Sequence, residues 1–108
     1  MEIIDKIGFD EVLLQLAEEA SELSQAALKL RRARMGINPT PITEGRAERH
    51  LLEEIADVLL CCSELYLVNA ERDYILKTAV KKCLRWKKRL GILDNEEEED
   101  ERDSRREN

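Results

Sequence analysis

The wide distribution of apolar side chains in residues 46–68 restricts the fold more than any other feature of the sequence. Wound as a helix at about 100° per residue, the segment carries apolar side chains over well over half of its circumference. These are Leu51, Leu52, Ile55, Val58, Leu59, Leu60, Cys62, Leu65, Tyr66 and Leu67. The narrow remaining sector holds Glu54, Asp57, Glu64 and Cys61. Such a helix is expected to be buried on several sides, with its acidic sector facing a cleft.

Two carboxylate pairs lie in helical stretches that contain neither proline nor glycine. Glu19 and Glu22 form the first pair, and Glu54 and Asp57 form the second. Positions i and i+3 of a helix point in roughly the same direction, so each pair presents both acids on one face. Two such helices packed face to face would bring four carboxylates together, and a cation is then needed to offset their repulsion and lost solvation. All-oxygen ligands predict a hard ion, Mg²⁺ or Mn²⁺.

The first pair lies beside the apolar stripe of a helix predicted over residues 10–34. That stripe comprises Leu13, Leu16, Ala20, Leu23, Ala27 and Leu30. At about 100° per residue, Glu19 falls roughly 60° from the centre of the stripe, Glu22 further out and Glu18 nearly opposite. A glutamate at the margin of a core needs a partner or a metal. The competing interpretation is a solvated surface, because either pair alone arises often by chance on helices.

The two pairs also occur in the order found in a known enzyme family. Residues 16–23 (LAEEASEL) and 53–59 (EEIADVL) resemble the E-E-x-x-E and E-x-x-D signature of MazG-like all-α nucleoside triphosphate pyrophosphohydrolases. Residues 38–41 (NPTP) resemble the loop of the small, phage-type members, and the whole resemblance covers most of residues 10–90. It implies an oligomeric, Mg²⁺-dependent enzyme that hydrolyses an NTP or dNTP to the monophosphate and pyrophosphate, a reaction suited to cleaning the nucleotide pool.

The resemblance also implies roles for individual residues. Matched motif by motif, the metal ligands would be Glu19, Glu22, Glu54 and Asp57, and Glu18 would be an accessory acid. Mg²⁺ held by these ligands would bridge the triphosphate and lower the pKa of a bound water. Glu18 or Glu22 would then act as the catalytic residue that directs this water toward the α-phosphorus, and the choice between the two stays open.

Basic residues are separated from the acids along the chain. The net charge is −6, but residues 94–108 contain nine acids and three arginines, which leaves fifteen acids and fifteen bases in residues 1–93. Bases gather in two segments, most densely over residues 77–89. Lys82 and Arg85 are therefore predicted to bind substrate phosphates, with a solvated basic face as an equally weighted alternative.

The predicted fold class is all-α, an antiparallel helical bundle with three main helices per chain, over residues 10–34, 46–68 and 70–90. Residues 1–93 are expected to form one domain, and residues 94–108 an acidic low-complexity tail. A domain of this size has a limited core, and two amphipathic neighbours cannot cover the second helix. Oligomerisation to a homodimer or homotetramer is expected to complete the bundle. The predicted interface residues are Val58, Leu65 and Trp86.

Local sequence signals predict where the helices begin and end. Asp10, Thr43 and Asn69 are the expected N-caps, and Gly36 and Gly91 the expected stops. The cysteines lack zinc-site spacing and are expected to be reduced, buried thiols; they are Cys61, Cys62 and Cys83. No signal peptide or transmembrane run is apparent, so we expect a cytoplasmic protein that partners neither a membrane nor a nucleic-acid polymer.

Two other classes of function remain open from the sequence. One is a non-catalytic helical dimerisation or regulatory module whose acids are merely solvated. The other is a carboxylate-bridged di-iron bundle, which is disfavoured because no histidine follows either pair at the Glu-x-x-His spacing. Pyrophosphate release on addition of Mg²⁺ would separate the hydrolase from both, whereas the preferred base and sugar cannot be read from the sequence.

Overall fold

The computed structural model describes residues 1–36 and 41–92, and within these ranges every regular element is helical. The elements are α1 (Ile3–Ile7), α2 (Phe9–Met35), α3 (Glu44–Cys62), a π-helical turn (Ser63–Leu67) that continues α3, and α4 (Arg72–Leu90). The all-α prediction is confirmed. The predicted acidic tail lies outside the described residues.

The chain divides after Val68 into two compact units. The first unit, Met1–Val68, contains α1, α2, α3 and the π-helical turn. The second unit begins at Asn69, and its described part is α4 with a short stretch on either side. The packing of all three main helices in one bundle therefore stays a prediction.

Helices α2 and α3 pack against each other in antiparallel directions. Near the start of α2, the ring of Phe9 meets that of Tyr66, beyond the end of α3, with ring centroids 6.1 Å apart. At the other end, Arg34 Nε lies 3.3 Å from Glu44 Oε1, in the first turn of α3. The predicted antiparallel arrangement is thus present for this pair of helices.

Helix α2 buries a different line of residues from the predicted one. Its buried and half-buried residues recur every three or four positions: Val12, Leu16, Glu19, Leu23, Ala26, Leu30 and Ala33. Leu13, Ala20 and Ala27, three members of the predicted stripe, are exposed. The average spacing is that of a coiled-coil seam. Glu19 consequently lies in the middle of the α2–α3 seam and not at its margin.

Helix α3 contributes a stripe of the same spacing, Ala47, Leu51, Glu54, Val58 and Cys61, which Leu65 continues in the π-helical turn. The predicted interface role is therefore wrong for Leu65, which is 3% exposed within the chain, and Val58 is already half-buried. The expectation that α3 is buried on several sides stays a prediction, because it includes burial by a second copy of the chain. In the chain as described, four large apolar residues of α3 are 44–58% exposed: Leu52, Ile55, Leu59 and Leu60.

The predicted helix boundaries are largely right. Thr43 caps α3, because its hydroxyl oxygen accepts a hydrogen bond from the Arg46 amide at 3.3 Å. Gly36 and Gly91 end α2 and α4 in the left-handed region, as expected. Two caps are wrong: Gly8, with φ of +90°, takes the place predicted for Asp10, and Glu71 takes that predicted for Asn69.

The π-helical turn attaches α1 to the rest of the first unit. Glu64 Oε1 accepts a hydrogen bond from the Ile3 amide at 2.6 Å, at the first residue of α1. Glu64 belongs to the acidic sector predicted for residues 46–68. Its role here is structural, because the Ile3 amide lies in the first turn of α1 and has no hydrogen-bond partner within that helix.

Two further expectations concern the cysteines and membranes. All three cysteines are free thiols, as predicted, but only Cys61 is buried, and Cys83 is exposed. None of the helices that the structure describes combines the length and apolar character needed to cross a bilayer.

Candidate metal centre

Three of the predicted metal ligands converge in the α2–α3 seam. Glu19 and Glu22 on α2 and Glu54 on α3 each offer one carboxylate oxygen, and these atoms lie within 4.8 Å of one another. The spacing of three residues brings Glu19 and Glu22 to the same side of α2, and the antiparallel packing brings Glu54 opposite them. We call this group the carboxylate cluster.

Asp57 lies beside the carboxylate cluster without belonging to it. Its charge is one of the causes that raise the pKa of Glu19, and the residue is exposed. Asp57 is thus near enough to the carboxylate cluster to share a cation with it.

Glu19 and Glu54 are held in matching ways, each by a residue four positions earlier on its own helix. The Gln15 amide Nε2 donates a hydrogen bond to Glu19 Oε1 at 2.7 Å. His50 Nε2 lies 3.1 Å from Glu54 Oε1, also hydrogen-bonding distance. Each neighbour restricts the rotamer of a carboxylate and leaves its second oxygen free to point elsewhere.

The second oxygens are buried without a partner. Glu19 Oε2 and Glu54 Oε2 have no hydrogen-bond partner among the residues that the structure describes. Glu54 as a whole is only 8% exposed. Burying a carboxylate oxygen without a donor is strongly unfavourable, so native proteins normally satisfy it with a hydrogen bond, water or ion.

The surroundings of Glu19 also favour a positive partner. The hydrogen bond from Gln15 lowers the pKa of Glu19, but burial and the neighbouring carboxylates of Glu22 and Asp57 together raise it above its ordinary value. Burial likewise raises the pKa of the Cys61 thiol, assisted by the charges of Glu19, Cys62 and Asp57. The cluster therefore takes up positive charge readily, whether as protons or as a metal ion.

These residues fit a hard divalent cation. Carboxylate oxygens are the preferred ligands of Mg²⁺, which commonly binds through one or two carboxylates with water and phosphate oxygens completing its shell. Two buried oxygens without partners supply such ligands, and Glu22, which is exposed, offers a third on the solvent side. The cluster contains neither the histidine nor the thiolate ligands that softer metals favour.

The other predicted site residues lie outside the carboxylate cluster. Glu18 is exposed on α2, where it is free to meet solvent or a ligand. Lys82 and Arg85 are exposed three residues apart on α4, in the second unit. No site role was predicted from the sequence for His50, which contacts Glu54 in the structure. The available signal was its spacing of four residues before Glu54, the spacing at which helical side chains meet.

Comparison with protein-family models, with curated proteins and with solved structures found no match to this chain. The chemical properties of the site therefore follow from its own residues.

Proposed function

We propose that this protein is a Mg²⁺-dependent nucleoside triphosphate pyrophosphohydrolase, which hydrolyses an NTP or dNTP to the monophosphate and pyrophosphate. The observation that carries the proposal is the pair of buried, partnerless carboxylate oxygens on Glu19 and Glu54. They belong to the two motifs whose order and spacing resemble those of the MazG-like family. Mn²⁺ is an alternative to Mg²⁺ because both accept all-oxygen ligands.

The proposed ligand set is Glu19, Glu22 and Glu54, with Asp57 beside them as a fourth acid. A divalent ion held there would act as a Lewis acid toward the phosphate and would lower the pKa of a water molecule. In this scheme Gln15 and His50 orient Glu19 and Glu54, each through one oxygen.

The chain's own acids direct the hydrolysis. Glu22 or Glu18, both exposed on α2, would accept a proton from the attacking water. The water oxygen forms a new bond to the α-phosphorus, the bond from that phosphorus to the bridging oxygen breaks, and pyrophosphate leaves with the electron pair. Lys82 and Arg85 are proposed to offset the phosphate charge, since cationic side chains stabilise a leaving polyphosphate.

We also propose that the enzyme works as a homodimer or homotetramer that completes the helical bundle. The exposed apolar face of α3, formed by Leu52, Ile55, Leu59 and Leu60, supports this, because a contiguous apolar patch of that kind usually marks an interface. A second copy of the chain is the proposed occupant.

Pyrophosphate release from a panel of NTPs and dNTPs, with Mg²⁺ or a chelator, tests the activity. Glu54→Gln is expected to abolish release while keeping the helical circular dichroism. It should also remove most of the rise in thermal midpoint that Mg²⁺ gives the wild type, which at 100 times Kd corresponds to about 2.7 kcal/mol. Glu48→Gln, an exposed acid on the same helix, is the matched control and should behave like wild type.

Two results would contradict the proposal. A wild-type protein that binds no divalent ion by calorimetry, alone or with a non-hydrolysable nucleotide, has no metal centre at these residues. Normal Mg²⁺ binding without release of pyrophosphate from any nucleotide would instead favour the non-catalytic regulatory module.

A further inference from the structure

A cavity of about 680 Å³ opens at the start of α3. We call it the α3 cavity. It is lined by Ile42, Thr43, Gly45, Arg46, Arg49, His50 and Glu53. Its volume falls within the range of roughly 300–1,000 Å³ that is usual for small-molecule sites.

The α3 cavity is predominantly cationic. Arg46 and Arg49 are exposed, and neither forms an ion pair with any other residue in the described ranges 1–36 and 41–92. Glu44, the nearest acid before them, pairs instead with Arg34. Glu53 is the one acid of the lining, so two guanidinium groups face a single carboxylate. Unpaired guanidinium groups in a concave site are well suited to bind phosphate, often through two parallel hydrogen bonds.

The α3 cavity adjoins the carboxylate cluster through one residue. His50 lines the cavity, and its Nε2 lies 3.1 Å from Glu54 Oε1. A cationic cavity and a group of metal-binding acids are therefore separated by a single imidazole. This arrangement matches a ligand that carries several phosphates, some bridged to a metal and others held by arginine.

We propose that the α3 cavity binds the terminal phosphates of a polyphosphate ligand, and that it holds the pyrophosphate leaving group while the metal-bridged part lies at the carboxylate cluster. This inference rests on the proposed function and adds the residues Arg46 and Arg49 to it. A nucleic-acid polymer fits less well, because polymer binding uses an extended basic surface, whereas residues 1–93 carry equal numbers of acids and bases.

Binding of inorganic tripolyphosphate and pyrophosphate, measured by titration calorimetry in chelator and again with Mg²⁺, tests the site directly. The wild type should bind both probes, and more tightly with Mg²⁺. The double variant Arg46→Gln, Arg49→Gln should lose about tenfold or more in affinity in chelator, as expected for lost charge-assisted hydrogen bonds. A matched variant, Arg31→Gln with Arg32→Gln on α2, removes the same charge outside the lining and should bind like wild type.

A second pair of variants tests the α3 cavity by filling part of its volume without changing its charge. A Cβ added at Gly45 meets no atom within 4 Å, so a side chain there fills open space without a clash. Gly45→Leu is expected to obstruct the cavity and weaken tripolyphosphate binding, whereas Gly45→Ala should leave binding close to wild type. Because alanine and leucine both favour helix over glycine, neither variant should unfold α3.

Kinetics separate failure of this inference from failure of the proposed function. If the inference holds, the arginine double variant has a KM for the nucleotide raised at least about tenfold and a matching loss of product inhibition by pyrophosphate. Unchanged KM, pyrophosphate inhibition and tripolyphosphate affinity in an active double variant would overturn the inference and leave the hydrolase intact. Arginine-dependent tripolyphosphate binding by a protein that hydrolyses no nucleotide would instead overturn the hydrolase and retain a polyphosphate site. Tighter binding of a single-stranded oligonucleotide than of tripolyphosphate would also overturn the inference.

Discussion

At the scale of single residues, the important feature is that each central carboxylate of the cluster is held through one oxygen only. Gln15 and His50 occupy Oε1 of Glu19 and of Glu54, and no side chain or backbone group of residues 1–36 and 41–92 is hydrogen-bonded to the two Oε2 atoms. A neighbour that fixes a ligand's orientation raises metal affinity, because less side-chain entropy is lost when the metal binds. We therefore propose that His50 is a positioning residue for Glu54.

Substitutions at His50 should show whether this residue orients Glu54 for a metal ion or contributes only to folding. His50→Leu, which cannot donate a hydrogen bond, is expected to weaken Mg²⁺ binding by about tenfold or more, the range seen when an outer-shell partner is lost. His50→Gln keeps an N–H donor and should recover much of that affinity. Calorimetric Mg²⁺ titration with circular dichroism as the folding check gives both values. Equal affinities for the two variants would argue that the 3.1 Å contact has no influence on the metal.

The raised pKa of Glu19 predicts a pH dependence of stability in the absence of metal. Because the folded state binds this proton more tightly than the unfolded chain, Glu19 contributes stability that is fully present below its ordinary pKa of 4.5. That contribution is lost as the pH rises through the raised pKa. In chelator, the free energy of unfolding of wild type should therefore fall relative to Glu19→Gln as the pH rises from 4.5 through the raised pKa of Glu19.

Urea unfolding over that pH range measures the difference between the two proteins. Glu18→Gln, the exposed neighbour on the same helix, serves as the control and should follow the wild-type slope. If Glu19→Gln has the same slope as wild type, the charges around Glu19 do not influence its titration in the way described.

At the scale of secondary structure elements, one side-chain hydrogen bond joins α1 to the π-helical turn. A helix of five residues is too short to be stable alone, and here the Glu64 carboxylate accepts the Ile3 amide at 2.6 Å. π-Helical turns are frequent at functional sites, and this turn carries Glu64, which contacts the start of α1.

Glu64→Ala should therefore release α1 without unfolding the α2–α3 pair. We expect a loss of about 1 kcal/mol, the usual net value of one hydrogen bond, and faster amide hydrogen exchange over residues 3–7. Glu64→Gln keeps an acceptor oxygen and should protect α1 more than Glu64→Ala does. Exchange measured by mass spectrometry or NMR compares the three proteins, and unchanged exchange in Glu64→Ala would show that α1 is held by other contacts.

At the scale of the whole molecule, the unexplained feature is the apolar face of α3. Four large apolar residues of this face are 44–58% exposed, although burial of each would stabilise the protein: Leu52, Ile55, Leu59 and Leu60. The predicted interface residue Leu65 is instead inside the chain. We propose that a second copy of the chain covers this face.

Light scattering at micromolar concentration should give a dimer or tetramer for the wild type. Leu59→Glu places a charge in the middle of the exposed apolar face and is expected to shift the protein to monomers. Leu28→Glu, at an equally exposed leucine of α2, should keep the wild-type mass. A wild type that is monomeric and fully active would refute the oligomer.

Local chemistry was readable from the sequence alone. The helices begin and end close to the predicted positions because caps such as Thr43 and stops such as Gly91 act within a few residues. The i, i+3 spacing likewise places Glu19 and Glu22 together whatever packs against them. These features depend on the geometry of a single helix.

Only the tertiary structure decided which side of α2 is buried. Its sequence offers two adjacent lines of mostly apolar residues, one through Leu13 and one through Val12. Packing against α3 selected the line through Val12, and this rotation moved Glu19 from the margin into the seam opposite Glu54. In the same packing, Asp57 lies beside the carboxylate cluster. Among the described residues, Oε2 of Glu19 and Oε2 of Glu54 are buried without a hydrogen-bond partner. A sequence read one helix at a time cannot determine this rotation, because the rotation depends on the surface of the partner helix.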